Sequence, residues 1–144
     1  MDARPCCIHC LTSEVDPMPS FRQSKGANGE AIAARFLQER GYRVLERNYR
    51  FKKAEIDLIA SLPTKDAEHE HLLIFVEVKW RRNADFAAPE SAVNLAKRRR
   101  LVLAAEAFLR DRKLEHSICR FDIVALTGDG RGLQIDHIES AFDA

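Results

Sequence analysis

The chain has 144 residues, of which 46% are hydrophobic and 31% charged, and its formal net charge is +1. This length fits one domain that can bury a core, and the apolar content excludes a globally disordered chain. No apolar run approaches the ~20 residues that span a bilayer, and no secretory h-region opens the sequence. We therefore expect a cytoplasmic protein without a membrane partner.

Basic residues gather in three places despite the near-neutral net charge, at Lys79–Arg82, Lys97–Arg100 and Arg110–Lys113. Clusters of this kind suit a polyanionic partner such as nucleic acid. Solvated surface charge is the common alternative, and charge alone favours it.

The first 23 residues contain three prolines and little hydrophobic periodicity. They predict a flexible tail (1–23) before a single domain (24–144). Cys7 and Cys10 have the spacing of half a zinc site, which His116 and Cys119 could in principle complete. Free reduced thiols are the favoured interpretation of the Cys6–Cys10 segment, because a lone half-motif is a weak signal.

Hydrophobic periodicity and turn residues predict seven elements in the order αβββαββ, which is a mixed α/β layer fold. Gly41 would end the first helix, and Pro89 would lie near the start of the second. The predicted elements are a helix over 25–40, strands over 42–49, 54–60 and 72–80, a helix over 89–113, and strands over 121–126 and 133–138.

Acidic residues interrupt two of the apolar strands. Because strand side chains alternate between faces, Asp57 should share a face with Glu55 and Ile59, with Ile56, Leu58 and Ala60 opposite. In the next strand, Glu77 and Lys79 should share a face with Phe75. Burying charge costs several kcal/mol or more unless it is paired or bound to a metal, so this pattern predicts a site.

The predicted site has the residue types that phosphodiester hydrolysis needs. Neighbouring strands lie ~4.8 Å apart, so Asp57 and Glu77 could share one Mg²⁺ or Mn²⁺ ion, with the Val78 carbonyl as a further ligand. Such an ion would activate water and offset the charge that develops on phosphate. Lys79 would hold the attacking water or stabilise the transition state, and it would pair with the carboxylates when metal is absent.

Six motifs occur in the order found in the YraN-like family, which the chain resembles over about residues 22–127. They are Gly26-x-x-Gly29-Glu30, Gly41-Tyr42, Glu46-Arg47-Asn48-Tyr49-Arg50, Glu55-Ile56-Asp57-Leu58-Ile59, Phe75-Val76-Glu77-Val78-Lys79 and Arg120-Phe121-Asp122. That family is similar to the restriction-endonuclease-like superfamily, near the archaeal Holliday junction resolvases. The resemblance implies a three-layer α/β/α core with a central mixed sheet, and it is compatible with a homodimer.

The resemblance also implies site residues of the PD-(D/E)xK type. Asp57, Glu77 and Lys79 match the signature positions, although Ile56 stands where the superfamily motif has proline. Glu30 matches the acidic position on the first helix of the resolvase-like branch, and would support the metal or water. Taken alone, Glu30 would be an ordinary acid at a helix N-terminus.

Three further residues keep more than one interpretation each. Glu55 could be an acid outside the metal site, a partner for Arg81, or a direct ligand, and the last is the less favoured. For Asp122, a structural role is favoured over a functional role near the site. Trp80, with Arg81 and Arg82, could stack on nucleic acid or could be a partly buried residue at a strand end.

The sequence thus predicts a Mg²⁺- or Mn²⁺-dependent endonuclease acting on DNA, including branched DNA. A nucleic-acid-binding module that does not cleave is the alternative, and a zinc-linked interaction protein is a weaker one. In the leading hypothesis, basic side chains hold the phosphate backbone without reading the sequence of bases. They are Arg50, Lys52, Arg81, Arg82, Lys97 and Arg98.

Overall fold

The computed structural model describes residues 25–65, 71–81, 93–128 and 132–144. The predicted order αβββαββ is confirmed in these residues. The elements are α1 (Lys25–Glu39), β1 (Arg43–Phe51), β2 (Ala54–Pro63), β3 (His71–Arg81), α2 (Leu95–Arg112), β4 (Ile118–Thr127) and β5 (Gln134–Phe142). The Cys6–Cys10 segment, Arg82 and Pro89 lie outside the described residues.

One mixed sheet contains all five strands, in the spatial order β1-β2-β3-β4-β5. Neighbouring strands pair antiparallel except β3 and β4, which are parallel. A parallel pair needs a long crossover, and α2 lies in the connection between these two strands. The crossover brings a basic helix over the sheet close to the ends of β2 and β3.

Each helix packs on its own cluster of sheet side chains. On β3, Ile74 and Val76 contact the cluster that includes Leu37 of α1. Phe75 belongs to the other cluster, with Phe108 of α2. Because alternate residues of one strand join different clusters, α1 and α2 cover opposite faces of the sheet.

The predicted alternation of β2 is wrong at Asp57. Ile56 joins Ile59 in the cluster beneath α2, whereas Leu58 joins Ala60 in the cluster beneath α1. The β2–β3 pairs run from Pro63↔His71 to Leu58↔Val76 and no further. The β1–β2 pairs continue to Phe51↔Ala54 but skip Asn48 and Asp57, and Asn48 adopts φ +53°, so the strand changes its phase at this irregularity.

Two helix boundaries were predicted from single residues: the end of the first helix from Gly41 and the start of the second from Pro89. Gly41 adopts φ +87°, and the Tyr42 N–H bonds to the Leu37 carbonyl at 3.1 Å, so the predicted glycine stop of α1 is confirmed. The predicted start of the second helix near Pro89 is wrong. Asn94 is extended, and its side chain accepts a bond from the Lys97 N–H, which makes it the N-cap of α2.

A polar cluster joins β4 to β5 on the far side of the sheet from β1. The Asp122 carboxylate is fully buried and accepts two bonds of 2.8 Å from Arg120. It also contacts His137 Nε2 at 2.8 Å and accepts from the Ser140 N–H at 3.1 Å. The β4–β5 register shifts here, and Ser140 adopts φ +50°. These contacts satisfy Asp122 within the fold, in agreement with its expected structural role.

In the described part of the chain, neither α1 nor α2 has the combined length and apolar character that a membrane-crossing helix requires.

Candidate active site

Glu77 lies at the centre of the site, near the end of β3. Its side chain is only 3% exposed, and its Oε1 atom accepts a bond of 2.7 Å from Lys79 Nζ. The same oxygen accepts a short hydrogen bond from Lys97 Nζ, which reaches it from α2. The other carboxylate oxygen, Oε2, is buried and has no hydrogen-bond partner among the described residues. Such an orphaned anionic oxygen is costly, so the site fits an additional cation or donor.

Asp57 lies beside Glu77, where β2 separates from β3. Its Oδ2 atom accepts a bond of 2.7 Å from the Val78 N–H, which ties the side chain to the backbone of β3. Burial and then the Glu77 carboxylate raise the Asp57 pKa from 3.8 to about 6. The Val78 N–H and Lys97 oppose the rise, and Glu30 adds to it. The Glu77 carboxylate is therefore close enough to disfavour ionisation of Asp57.

Lys97 balances much of this negative charge. Burial alone would lower its pKa, but the hydrogen bond and charge of Glu77, with a further contribution from Asp57, raise it. The sequence predicted Lys97 as a phosphate contact, whereas the structure also bonds it to the predicted metal ligand Glu77. Lys97 lies in the first turn of α2, which crosses the sheet. Sequence alone does not show where this helix crosses, so it could not predict the bond to Glu77.

Glu30 reaches the same neighbourhood from α1. A Cβ added at Gly29 would lie 3.1 Å from Trp80 Cε3, so the glycine lets α1 approach β3 closely. Glu30 Oε2 accepts a bond of 2.7 Å from Asn48 Nδ2. Its charge acts on Asp57, but across the described residues no group of three His, Cys, Asp or Glu side chains is arranged to hold a metal ion. The structure thus unites Asp57, Glu77 and Lys79 and leaves Glu30 at the edge.

A pocket of about 230 Å³ opens next to Asp57, between the β1–β2 turn and α2. Two of its cations, Lys53 and Arg100, were missed by the sequence analysis. Lys53 directly precedes the strand that carries Asp57, and Arg100 follows Lys97 by three positions on α2, so spacing could have indicated both. The lining residues are Lys53, Ala54, Glu55, Asp57, Lys97, Arg100 and Leu101.

Other predicted nucleic-acid contacts have partners within the protein. Arg50 bonds to Glu55 at 3.1 Å, so this acid, which the sequence favoured outside the metal site, forms an ion pair with Arg50. Arg98 Nε donates to the Val93 carbonyl at 2.9 Å, and its guanidinium lies over Phe142. Lys52 Nζ lies 5.3 Å from the Phe51 ring centre. Arg81 ends β3 and is half-buried.

Trp80 fits the second of its two interpretations. Its Nε1 donates to the Gly128 carbonyl at 3.1 Å, and its ring packs with the cluster beneath α1. The indole therefore anchors the end of β3 against α1.

Fold and site together define a small mixed α/β protein with a buried carboxylate pair and two lysines at the end of its central strands. A sequence profile of the "Uncharacterised protein family UPF0102" matches residues 29–126, a range that includes Glu30, Asp57, Glu77 and Lys79. The chain belongs to this family, which confirms the YraN-like membership predicted from its motifs.

Relatives from distant bacteria match most of the chain. The UPF0102 protein of Pelobacter propionicus is 42% identical over 122 residues, which are 84% of this chain and 84% of the relative. That of Myxococcus xanthus is 38% identical over 126 residues, covering 88% of this chain and 94% of the relative. That of Rhodococcus jostii is 44% identical over 118 residues, covering 81% and 94% respectively.

Proposed function

We propose that this protein is a metal-dependent endonuclease of the restriction-endonuclease-like superfamily, which hydrolyses phosphodiester bonds of DNA, including branched DNA. One observation carries the proposal. Glu77 is 3% exposed and has a buried oxygen without a partner, and it lies beside Asp57 and bonds to Lys79. A merely structural acid would have both oxygens satisfied, as Asp122 does.

The donor set fits a hard divalent cation. Asp57 and Glu77 would hold Mg²⁺ or Mn²⁺, with Glu30 supporting it from α1, since carboxylate oxygens are the ligands that these ions prefer. When bound, the ion would polarise the scissile phosphate, lower the pKa of water and offset negative charge. The unpartnered Oε2 atom of Glu77 is the feature of the protein that favours such a ligand.

The protein's own side chains would orient the reactants. Lys79 is fixed by its 2.7 Å bond to Glu77 and is 25% exposed, so its remaining N–H groups can reach a water or a phosphate oxygen. It would orient the attacking water and stabilise charge on the phosphate. Asp57 is held by the Val78 N–H and is ionised above about pH 6, so it would be a competent ligand at neutral pH.

A cleavage assay on supercoiled plasmid and on a synthetic four-way junction, with Mg²⁺ or Mn²⁺, tests the proposal. Wild-type protein should cleave only with metal. Asp57→Asn and Glu77→Gln should each slow cleavage by roughly a hundredfold or more, because a metal supplies several kcal/mol. Glu39→Gln is the matched control, since it removes an exposed carboxylate of α1 that bonds to Arg35 and does not line the pocket.

Two results would contradict the proposal. Cleavage that persists in the Asp57→Asn and Glu77→Gln variants would belong to a contaminant. Salt-dependent DNA binding without cleavage of either substrate under any metal condition would instead identify a non-cleaving binding module. A homodimer, which we propose as the form that acts on a two-fold symmetric junction, is tested by the molar mass of the protein with and without the junction.

A further inference from the structure

We infer that the pocket between the β1–β2 turn and α2 is a subsite for one backbone phosphate of DNA, held by Lys53, Lys97 and Arg100. The inference rests on the proposed action on DNA and names what would occupy the space beside the carboxylate pair. Lys53 comes from the turn that joins two strands, whereas Lys97 and Arg100 come from adjacent turns of one helix face. Two separate elements therefore bring cations to one small space.

The charges around the pocket favour an anion. Its two acids are already engaged, Asp57 by the Val78 N–H and Glu55 by Arg50. Within the described ranges, neither Lys53 nor Arg100 forms an ion pair with a carboxylate. Arg100 Nε donates to the Ala96 carbonyl of its own helix at 3.3 Å, which leaves the terminal nitrogens of the guanidinium for a ligand.

The size and lining of the pocket indicate a phosphate rather than a base. A volume of about 230 Å³ accommodates a phosphodiester group with its water. Ala54 and Leu101 are the apolar lining residues, and no aromatic ring is among them, so a base would find no stacking surface. Lysine and arginine donors are the usual partners of phosphate oxygens.

Lys97 fixes the position of this phosphate relative to the carboxylates. Lys97 lines the pocket and its ammonium group bonds to Glu77, so an anion in the pocket lies within one side chain of the proposed metal ligands. The subsite would therefore hold the backbone phosphate nearest the carboxylate pair. It would contribute to affinity for all sequences alike, since phosphate contacts carry no base information.

The chain offers a closely matched test pair. Lys53→Gln with Arg100→Gln removes two pocket cations, and Arg43→Gln with Arg47→Gln removes two exposed cations of the neighbouring strand β1, which do not line the pocket. Both double variants have the same net charge. Binding of a fluorescent duplex and a fluorescent four-way junction is measured by anisotropy in EDTA over a series of salt concentrations.

The pocket variant should weaken DNA binding about tenfold or more and reduce the slope of log affinity against log salt by about one, because one phosphate contact is lost. The neighbouring variant should change affinity by about twofold or less. Thermal melting of both proteins checks that the fold is retained. Equal effects of the two pairs would overturn the subsite, and so would a wild-type protein that binds no DNA.

The test separates the subsite from the proposed cleavage, because binding in EDTA needs neither metal nor turnover. If the wild-type protein cleaves DNA and the two double variants bind DNA equally well, the nuclease proposal stands and the subsite is refuted. Selective loss of DNA binding in the pocket variant, together with no cleavage by the wild-type protein, would support the subsite and refute the nuclease. A titration with inorganic phosphate, followed by amide NMR shifts, adds one more arm. Shifts at the pocket residues without selective loss of DNA binding would assign the pocket to a free anion and overturn the inference.

Discussion

Asp57 and Glu77 show how one residue's surroundings set the conditions under which a site can work. Burial and the neighbouring carboxylate raise the Asp57 pKa to about 6, so a proton occupies the site more readily than it would in water. In the proposed metal site, a divalent cation would have to displace that proton before it could use both oxygens. Binding of the proposed metal would therefore depend on pH in the range just below neutrality.

We predict that Mn²⁺ affinity rises with pH and levels off above about pH 7. Below about pH 6 each unit should cost roughly tenfold, because one proton competes with the ion. Isothermal titration calorimetry at about pH 5, 6 and 7.5 measures this dependence, and Asp57→Asn should abolish it along with most of the affinity. An affinity for Mn²⁺ that is independent of pH would place the ion elsewhere.

The same raised pKa affects stability with a definite sign. The folded protein holds the Asp57 proton more tightly than the unfolded chain does. The stabilisation that this proton gives is therefore fully present below the ordinary carboxyl pKa of 3.8. It is lost as the pH rises to about 6. Without metal, Asp57→Asn should therefore be more stable than wild type near neutral pH, by on the order of 1–3 kcal/mol.

Alternation along the strands was enough to predict Asp57, Glu77 and Lys79, because a charged residue within an apolar strand stands out in any single sequence. It could not predict the change of pleat at Asp57, which coincides with the gap in the β1–β2 pairing at Asn48 and with the end of the β2–β3 pairing. The bond from Lys97 was also beyond sequence reasoning. It depends on the path by which α2 crosses the sheet, which no local pattern specifies.

At the scale of elements, β5 is joined to β4 by the buried carboxylate of Asp122. Burial alone would raise its pKa, but the bonds from His137, Arg120 and the Ser140 N–H lower it. The ionised form is thus favoured in the folded protein. This is the opposite balance to that at Asp57, and it marks Asp122 as part of the scaffold.

We predict that Asp122→Asn lowers the free energy of unfolding by about 3–5 kcal/mol, because Arg120, which is 17% exposed, loses its fully buried charged partner. Urea denaturation measures the change. Glu139→Gln is the control. Its carboxylate also bonds to Arg120 but is 54% exposed, so its loss should cost about 1 kcal/mol or less.

The effect of Asp122 on stability should depend on pH. The stabilisation is present above the ordinary carboxyl pKa of 3.8 and is lost as the pH falls through the lower folded value. The gap between wild type and Asp122→Asn should therefore narrow only in strong acid. Equal stability of the two proteins at neutral pH would show that the ionised carboxylate is not needed to hold β5.

Most elements were predictable because their signals are local. The apolar stripe of α1 and its glycine stop, and the β-rich runs of the strands, lie within a few residues of each other. The misjudged parts depend on distant partners. Strand β4 begins at Ile118 and β5 runs to Phe142, both beyond their predicted limits of 121 and 138. Their lengths are set by β3 on one side and by the Asp122 cluster on the other.

At the scale of the whole molecule, α2 and β3 meet through the bond between Lys97 and Glu77. Lys97 supplies positive charge where a divalent cation would supply it in the proposed enzyme. Lys97 thus stabilises Glu77 in the protein as described, and in the proposed enzyme it would compete with the cation for this carboxylate. Such a competition would make the stability of the fold and the affinity for metal depend on the same interaction.

We predict that Lys97→Met destabilises the metal-free protein by about 2–4 kcal/mol, because Glu77 is 3% exposed and keeps only Lys79 as a partner. The same variant should bind Mn²⁺ about tenfold more tightly, which adds about 1.4 kcal/mol to the stabilisation by saturating metal. Thermal melting with and without Mn²⁺ should show a lower initial transition and a larger upward shift than in wild type.

Arg99→Gln serves as the control for this prediction, because it removes a cation from the same helix at an exposed position that does not contact Glu77. Neither its initial melting temperature nor its Mn²⁺ shift should differ much from wild type. A Lys97→Met protein with a Mn²⁺ shift equal to or smaller than that of wild type would show that the ion does not bind at Glu77. The competition would then be refuted, since removing a cation from the true metal site must increase its affinity for another.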